Sequence, residues 1–315
     1  MTLTTTEHRI ASGRAGLSLL LRHKCVREQA PPVLFVHGAT YPSTVTFDYP
    51  LEGMSWMDHL AHAGFDVWCI DLLGYGGSDR PPEMSQPAAD NSPIVDTAEA
   101  VEDVKRAMAF ILAMRQVEQL DLIGYSWGTA IGGQVAGDCP RQVRRLVLAG
   151  ALWLPKGPPQ IAVDGPLGAY RMVTAEASTR RWEVSLSDAQ KTAIGAAAGR
   201  AAWARAALAS DPESTRHMPP QLRAPSGVVK DVTEYWLRGT PTYDPSRIQC
   251  PTLVVVGEWD QETTPEQGRA VFACLSGTAS RRFVMIGGAT HLMLLEKQRY
   301  ALYDVVHGFL ADSPA

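Results

Sequence analysis

Ser126 lies between two glycines in G-Y-S-W-G (residues 124–128), after apolar Leu120, Leu122 and Ile123 and before T-A-I-G-G-Q-V-A-G, a helix-like run. A serine hydroxyl is a poor nucleophile at neutral pH and needs a base to take its proton. A sharp strand-to-helix turn would expose it. Glycines at 124 and 128 would leave room for the tight turn and for close helix–strand contact. The N–H of Trp127 would then sit at a helix N-terminus, where developing negative charge is favoured. The plain alternative is a glycine-rich turn carrying a solvated serine, and the strand–turn–helix setting argues against it.

A base and an orienting acid must come from elsewhere in the chain. In the serine-hydrolase order the acid follows the serine and the histidine comes last. Three histidines follow Ser126: His217, His291 and His307. His217 falls in a segment without strand-like runs, and His307 inside an amphipathic terminal helix. His291 follows Gly287-Gly288 in a loop after a strand, which puts it at the same sheet edge as Ser126, so His291 is the expected base. The acid should also follow a strand. The turn G-E-W-D-Q-E-T-T-P after Val254–Val256 offers Asp260, with Glu258 and Glu262 as rivals. The T-T-P that follows starts a helix and leaves Asp260 in the turn, where it could fix one imidazole tautomer. The turn after the earlier strand, 148–152, carries no carboxylate. H-G-A-T (37–40) follows another strand and offers the N–H of Ala39 as a second donor to an oxyanion, opposite that of Trp127. His37 precedes the serine and is read as bonding locally in its loop.

These residues need a scaffold that brings strand ends to one edge. Apolar, β-rich runs at 33–36, 67–70, 120–123, 143–148, 252–256 and 282–286 alternate with helix-like segments at 97–114, 265–275 and 295–311. Such runs suit strands covered on both faces, hence a parallel, doubly wound sheet. The alternation stops between about Trp153 and Tyr243. That stretch is rich in Ala and Arg and carries Pro155, Pro158, Pro159 and Pro219-Pro220. It is read as a helical cap over 153–245, with one long helix at 188–209, inserted into a core of 1–152 and 246–315.

The chain has 315 residues, 45% hydrophobic and 20% charged, with net charge −4. Nothing in that balance points to nucleic acid or an anionic membrane. M-T-L-T-T-T-E-H-R-I lacks the basic and apolar parts of a signal peptide, and no run is long enough to span a bilayer. Five scattered cysteines without C-x-x-C read as reduced, mostly buried thiols. The expectation is a cytoplasmic protein with a small-molecule ester as partner and no cofactor or metal, a homodimer being left open.

H-G-A-T, D-L-L-G-Y-G-G-S (71–78), G-Y-S-W-G and the Asp260…His291 pair together resemble the α/β-hydrolase family over about 30–150 and 245–315. The resemblance implies an eight-stranded, mostly parallel sheet with a lid over the site. A serine at the elbow is unlike the dehalogenase and epoxide hydrolase branches, which place an aspartate there. H-G-A-T-Y-P, R-P-P-E-M and S-W-G-T look most like carboxylesterases acting on monoalkyl phthalates. Carbon–carbon bond hydrolases of aromatic ring cleavage share the serine triad and helical lid and stay open, as does an acyltransferase. For the pocket, Thr40, Trp153, Arg171 and Trp182 are expected to touch substrate. One of the segment's arginines (Arg171, Arg180, Arg181, Arg200, Arg205) would pair with a substrate carboxylate. The plainer reading is that these arginines solvate helix faces and that Trp153, Trp182, Trp203 and Trp236 fill a small core.

Overall fold

The structure, a computed structural model, describes residues 2–27, 30–154, 166–278 and 280–312. Ten strands are described: β1 (Thr4–Ala11), β2 (Ser18–Cys25), β3 (Pro32–Val36), β4 (Asp66–Asp71), β5 (Leu120–Tyr125), β6 (Val143–Ala149), β7 (Tyr170–Thr174), β8 (Gln221–Pro225), β9 (Thr252–Gly257) and β10 (Arg281–Ile286). The helices are α1 (Ser43–Thr46), α2 (Trp56–His62), α3 (Thr97–Arg115), α4 (Trp127–Asp138), α5 (Ala175–Glu183), α6 (Asp188–Ile194), α7 (Ala197–Ala209), α8 (Gly227–Glu234), α9 (Pro265–Cys274) and α10 (Arg299–Ala311).

Eight strands form one sheet in the order β1-β2-β4-β3-β5-β6-β9-β10, in which β2 pairs antiparallel with both β1 and β4 and every other neighbouring pair is parallel. Every residue of β3, β4, β5 and β9 is buried. That follows from apolar layers on both faces. Leu34, Leu122 and Leu146 pack with Val104, Ile111 and Ile131 of α3 and α4 on one side. Phe35, Ile123 and Val255 pack with Trp56, Leu302 and Val306 of α2 and α10 on the other. A strand covered twice reads as a continuous apolar run, which is why these strands are legible in sequence.

β3 lies between β4 and β5, so the chain leaves its carboxyl end in one direction and returns on the opposite side. Such a reversal opens a crevice at the carboxyl ends of the two strands. Ala39 follows β3 and Ser126 follows β5, while Asp260 and His291 follow the parallel strands β9 and β10. All four are therefore delivered to one edge of the sheet.

The segment between β6 and β9 differs from its expected form. It is not wholly helical: β7 and β8 pair antiparallel, Tyr170 opposite Pro225 and Thr174 opposite Gln221. These strands are short, carry Arg171 and Arg223 inward and lie far apart in sequence, so no hairpin signal betrays them. The helix expected at 188–209 is two helices, α6 and α7. Gly195 separates them at φ 131°, ψ 176°, and the Gly195 carbonyl is taken by Arg200 Nη1 at 2.5 Å. Pro155, Pro158 and Pro159 lie outside the described residues.

Candidate active site

Ser126 follows the last residue of β5 and directly precedes α4, with φ 56° and ψ −121°. A non-glycine residue held there is strained, and such strain persists only where the surroundings fix it. Both flanking glycines are required by contact. A Cβ on Gly124 would lie 2.3 Å from the Gly128 carbonyl oxygen, and one on Gly128 would lie 2.2 Å from the Val36 oxygen and 2.7 Å from the His37 oxygen. Helix α4 thus presses its first turn onto the ends of both β5 and β3. Trp127 locks that turn by donating from Nε1 to Thr97 Oγ1 at 2.9 Å.

His291 Nε2 is 2.9 Å from Ser126 Oγ, and His291 Nδ1 is 2.8 Å from Asp260 Oδ2. A carboxylate only accepts, so Nδ1 carries the proton and the Nε2 lone pair faces the serine hydroxyl. Asp260 is fully buried. Its Oδ1 accepts from the N–H groups of Glu262 (2.8 Å) and Thr263 (2.9 Å), and its Oδ2 accepts from Thr263 Oγ1 at 2.9 Å. Burial pushes the His291 pKa down, but Asp260, and then Glu262, more than reverse this and hold it above its ordinary value. The Tyr125 ring stacks on the imidazole at 5.1 Å, and its hydroxyl donates to the His291 carbonyl at 2.8 Å.

Two backbone N–H groups flank the serine, that of Trp127 at the start of α4 and that of Ala39 in the loop after β3. Neither has a backbone acceptor among the described residues. The loop passes so close that a Cβ on Gly38 would lie 2.8 Å from Ser126 Cβ. His37 braces it. Its Nε2 accepts from the Leu72 N–H at 3.1 Å, so Nδ1 donates to the Gly38 carbonyl at 2.7 Å. Burial drives the His37 pKa down to about 4, so the ring is neutral. The arrangement can deprotonate a hydroxyl and hold an oxyanion beside it, which is the equipment of acyl transfer.

The profile of the alpha/beta hydrolase fold family matches residues 31–298. The chain belongs to the alpha/beta hydrolase family.

Solved structures agree on the fold. A serine hydrolase involved in carbazole degradation superposes with a TM-score of 0.66 at 18% identity, over 98% of this chain and 99% of that one. The 2-hydroxy-6-oxo-6-phenylhexa-2,4-dienoate hydrolase from Rhodococcus sp. strain RHA1 gives 0.66 at 17% identity, over 99% and 100%. A thermophilic esterase from Thermogutta terrifontis gives 0.62 at 18% identity, over 97% and 98%. No curated protein matches the chain significantly.

In this alpha/beta hydrolase the expected pocket residues part company. Thr40 is buried at φ 83°, and its hydroxyl accepts from Arg171 Nη2 at 2.5 Å. Arg171 also donates to the Pro225 carbonyl at 2.6 Å. Trp182 reaches the loop that carries His291, its Nε1 donating to Glu296 at 2.6 Å. Trp153 does not meet the triad. It packs against Trp236 and Tyr243 and lines a separate cavity of about 650 Å³ beside Gly133 and Gly137 of α4. Of the rival acids, Glu258 accepts from the Gly288 N–H at 2.8 Å and stays outside the site. Glu262 enters it, 3.6 Å from His291 Nε2. His217 is exposed, and His307 lies in α10 near His59.

Thr263 and Gly150 are the site residues that sequence reasoning passed over. Thr263 Oγ1 lies 2.9 Å from Asp260 Oδ2 and 3.1 Å from His291 Nδ1. Gly150 faces the imidazole so closely that a Cβ there would lie 3.2 Å from Cε1. The only sequence signal for Thr263 is its place beside the helix cap in T-T-P. His23, Cys25 and Asp66 put ligand atoms within 4.8 Å of one another. Their capacity is already spent: His23 bonds Thr6 and Asp66, and Arg115 pairs with the same carboxylate. Among the described residues no helix is long and apolar enough to cross a membrane, and the five cysteines are free.

Proposed function

We propose that this hydrolase cleaves carboxylic esters by a Ser-His-Asp acyl-enzyme mechanism. The observation that carries the reading is the unbroken relay from Ser126 Oγ through His291 to Asp260, at 2.9 and 2.8 Å. Ser126 Oγ attacks the ester carbonyl while His291 Nε2 takes its proton. The N–H groups of Ala39 and Trp127 hold the oxyanion. Asp260 stabilises the imidazolium through Nδ1. The imidazolium protonates the departing alcohol. His291 then deprotonates a water, which attacks the acyl carbonyl and frees the acid and Ser126.

Residues 153–245 serve as the cap. Four contacts from this segment to the core support that role: Arg171 to Thr40, Arg181 to Glu262, Trp182 to Glu296, and Trp203 Nε1 to the Val45 carbonyl at 2.8 Å.

The preferred substrate is a monoester of an aromatic diacid, such as a monoalkyl phthalate. Support comes from the charge state of the cap arginines. Arg181 and Arg200 are paired with Glu262 and Glu183, and Arg180 and Arg205 are exposed. Arg171 is buried with no carboxylate partner among the described residues, and that burial lowers its pKa. An uncompensated buried cation is costly, and a substrate carboxylate would relieve it.

Hydrolysis of monobutyl phthalate and p-nitrophenyl butyrate tests both levels. Ser126→Ala should abolish both activities with the fold intact; full activity in that variant would remove the serine from the mechanism. Arg171→Gln should raise KM for the phthalate tenfold or more and leave the neutral ester unchanged. Equal losses on both would reduce Arg171 to a brace for Thr40.

A further inference from the structure

We propose that Glu262 is a second acidic positioning residue for His291, working on the Nε2 face opposite Asp260, and that the cap sets its strength through Arg181. The inference rests on His291 being the general base.

The turn after β9 fixes where Glu262 can be. Its own N–H is held by Asp260 Oδ1 at 2.8 Å, so the two carboxyl groups are parts of one rigid loop. They approach the imidazole from its two nitrogens: Asp260 Oδ2 lies 2.8 Å from Nδ1, and Glu262 Oε2 lies 3.6 Å from Nε2. At 3.6 Å Glu262 forms no hydrogen bond and leaves the Nε2 lone pair to Ser126. Its influence is therefore Coulombic. Both of its oxygens are held by Arg181, Oε1 by Nε at 2.5 Å and Oε2 by Nη2. A carboxylate gripped in that fork cannot swing in and capture the proton bound for the leaving alcohol.

The charged and titratable groups around the ring can be weighed. Asp260 and Glu262 come from the turn after β9, Arg181 from α5 and Tyr125 from β5. Glu296 lies behind Thr290, whose N–H it accepts at 3.0 Å. Two carboxylates close to the ring favour the imidazolium, and one guanidinium behind Glu262 tempers the second. The balance runs toward a raised His291 pKa, with Glu262 second to Asp260 among the groups that raise it. Burial pushes the Glu262 carboxyl up, but Arg181 and His291 more than reverse this, so it is ionised at neutral pH.

Arg181 and Trp182 are consecutive residues of α5. One grips Glu262 on the acid's turn. The other donates to Glu296, which holds Thr290 on the base's loop. A single turn of the cap thus clasps both loops that carry the relay. Withdrawal of α5 would strip Glu262 of the cation that fixes its place and its charge beside the imidazole.

The test is direct titration of His291 by imidazole ¹H–¹⁵N NMR, alongside the pH profile of kcat/KM. An opposite charge at this range moves a pKa by about one to three units, and Arg181 already offsets part of it. Glu262→Gln should therefore lower both the NMR pKa and the acidic limb of the profile by about one pH unit. Arg181→Lys, which keeps the cation, should leave both near the parental values. A His291 pKa unchanged in Glu262→Gln, or lowered as far in Arg181→Lys as in Glu262→Gln, overturns the proposal. If Glu262→Gln fails to fold, the double variant Glu262→Gln/Arg181→Gln, which leaves neither charge of the pair buried alone, decides it by the same lowered pKa. The NMR titration is independent of turnover. Absence of esterase activity in the parent would sink the proposed function and leave this inference to be judged on its own.

Discussion

Gly128→Ala is the substitution whose effect the geometry dictates most closely. The added methyl would stand 2.2 Å from the Val36 carbonyl oxygen, 2.7 Å from that of His37 and 2.9 Å from the Val36 carbonyl carbon, where ordinary contact begins at 3.4 Å. All three neighbours are backbone, so no side chain can turn aside. The first turn of α4 must back away from the end of β3 by about 1 Å, at about 1–3 kcal/mol of overpacking. The same movement separates the N–H of Trp127 from that of Ala39. Loss of one oxyanion donor costs roughly 10²–10³ in kcat, and we expect kcat on p-nitrophenyl butyrate to fall roughly 100-fold. Gly132→Ala, one turn along the same helix, is the control. There the methyl would meet Leu122 Cδ2 at 3.5 Å and Leu146 Cδ1 at 3.6 Å, ordinary contacts. Replacing glycine by alanine inside a helix gains about 0.5–1 kcal/mol, so this variant should melt slightly higher and keep its kcat. Steady-state kinetics with thermal melts of both variants suffice. A Gly128→Ala enzyme with parental kcat and Tm, or a Gly132→Ala enzyme equally damaged, would refute the close-contact reasoning.

Two further outcomes follow from buried polar groups. Thr263→Val removes the hydroxyl donated to Asp260 Oδ2. A hydrogen bond to a charged group is worth about 1.5–3 kcal/mol, so urea unfolding should show a loss of that size, and kcat should drop roughly tenfold as His291 loosens. Unchanged values would make Thr263 a bystander. Burial raises the Asp71 carboxyl from 3.8 to about 6, although the N–H groups of Gly77 and Ser43 donate to it. A folded pKa above the unfolded one means stability present below pH 3.8 and lost as pH rises through about 6. At 1.36 kcal/mol per unit the loss approaches about 3 kcal/mol. Asp71→Asn leaves one of those two donors facing an amide NH₂, so it starts less stable. Its deficit should narrow between pH 4 and 6 and stay constant above; a deficit that widens with pH would reverse the assigned direction.

Most strands legible in sequence are those whose burial is complete; β10 is the exception, an edge strand with Arg281, Arg282 and Met285 exposed rather than covered on both faces. β3, β4, β5, β6 and β9 announce themselves because both faces are covered, and a run such as Val33–Val36 has no polar phase to hide it. β1 and β2 escaped direct reading. T-T-T-E-H-R-I-A is mostly exposed, and S-L-L-L-R-H-K-C mixes an apolar run with charged residues. The eight-stranded total came from the family resemblance, not from a pattern in those residues. The meeting of Ser126, His291 and Asp260 was legible because each follows a strand, and parallel strands deliver their ends to one edge. The segment between β6 and β9 was least legible. The pairing of β7 with β8 depends on segments about fifty positions apart, and α6 and α7 part at Gly195, where alanine-rich sequence on both sides masks the break. Thr263, and the place Glu262 takes beside the base rather than as its acid, were hidden for another reason. Their roles arise from a turn whose geometry is fixed by Asp260's own hydrogen bonds, and no residue pattern encodes that.

In the proposed mechanism the hydroxyl at 126 is made nucleophilic by the imidazole at 291. Peptide mapping after treatment with a fluorophosphonate measures it directly. One equivalent of adduct is expected, carried by the peptide containing Ser126 and absent when His291→Ala is treated in the same way. A folded enzyme that takes no label, or takes it on another residue while Ser126 stays free, would contradict it.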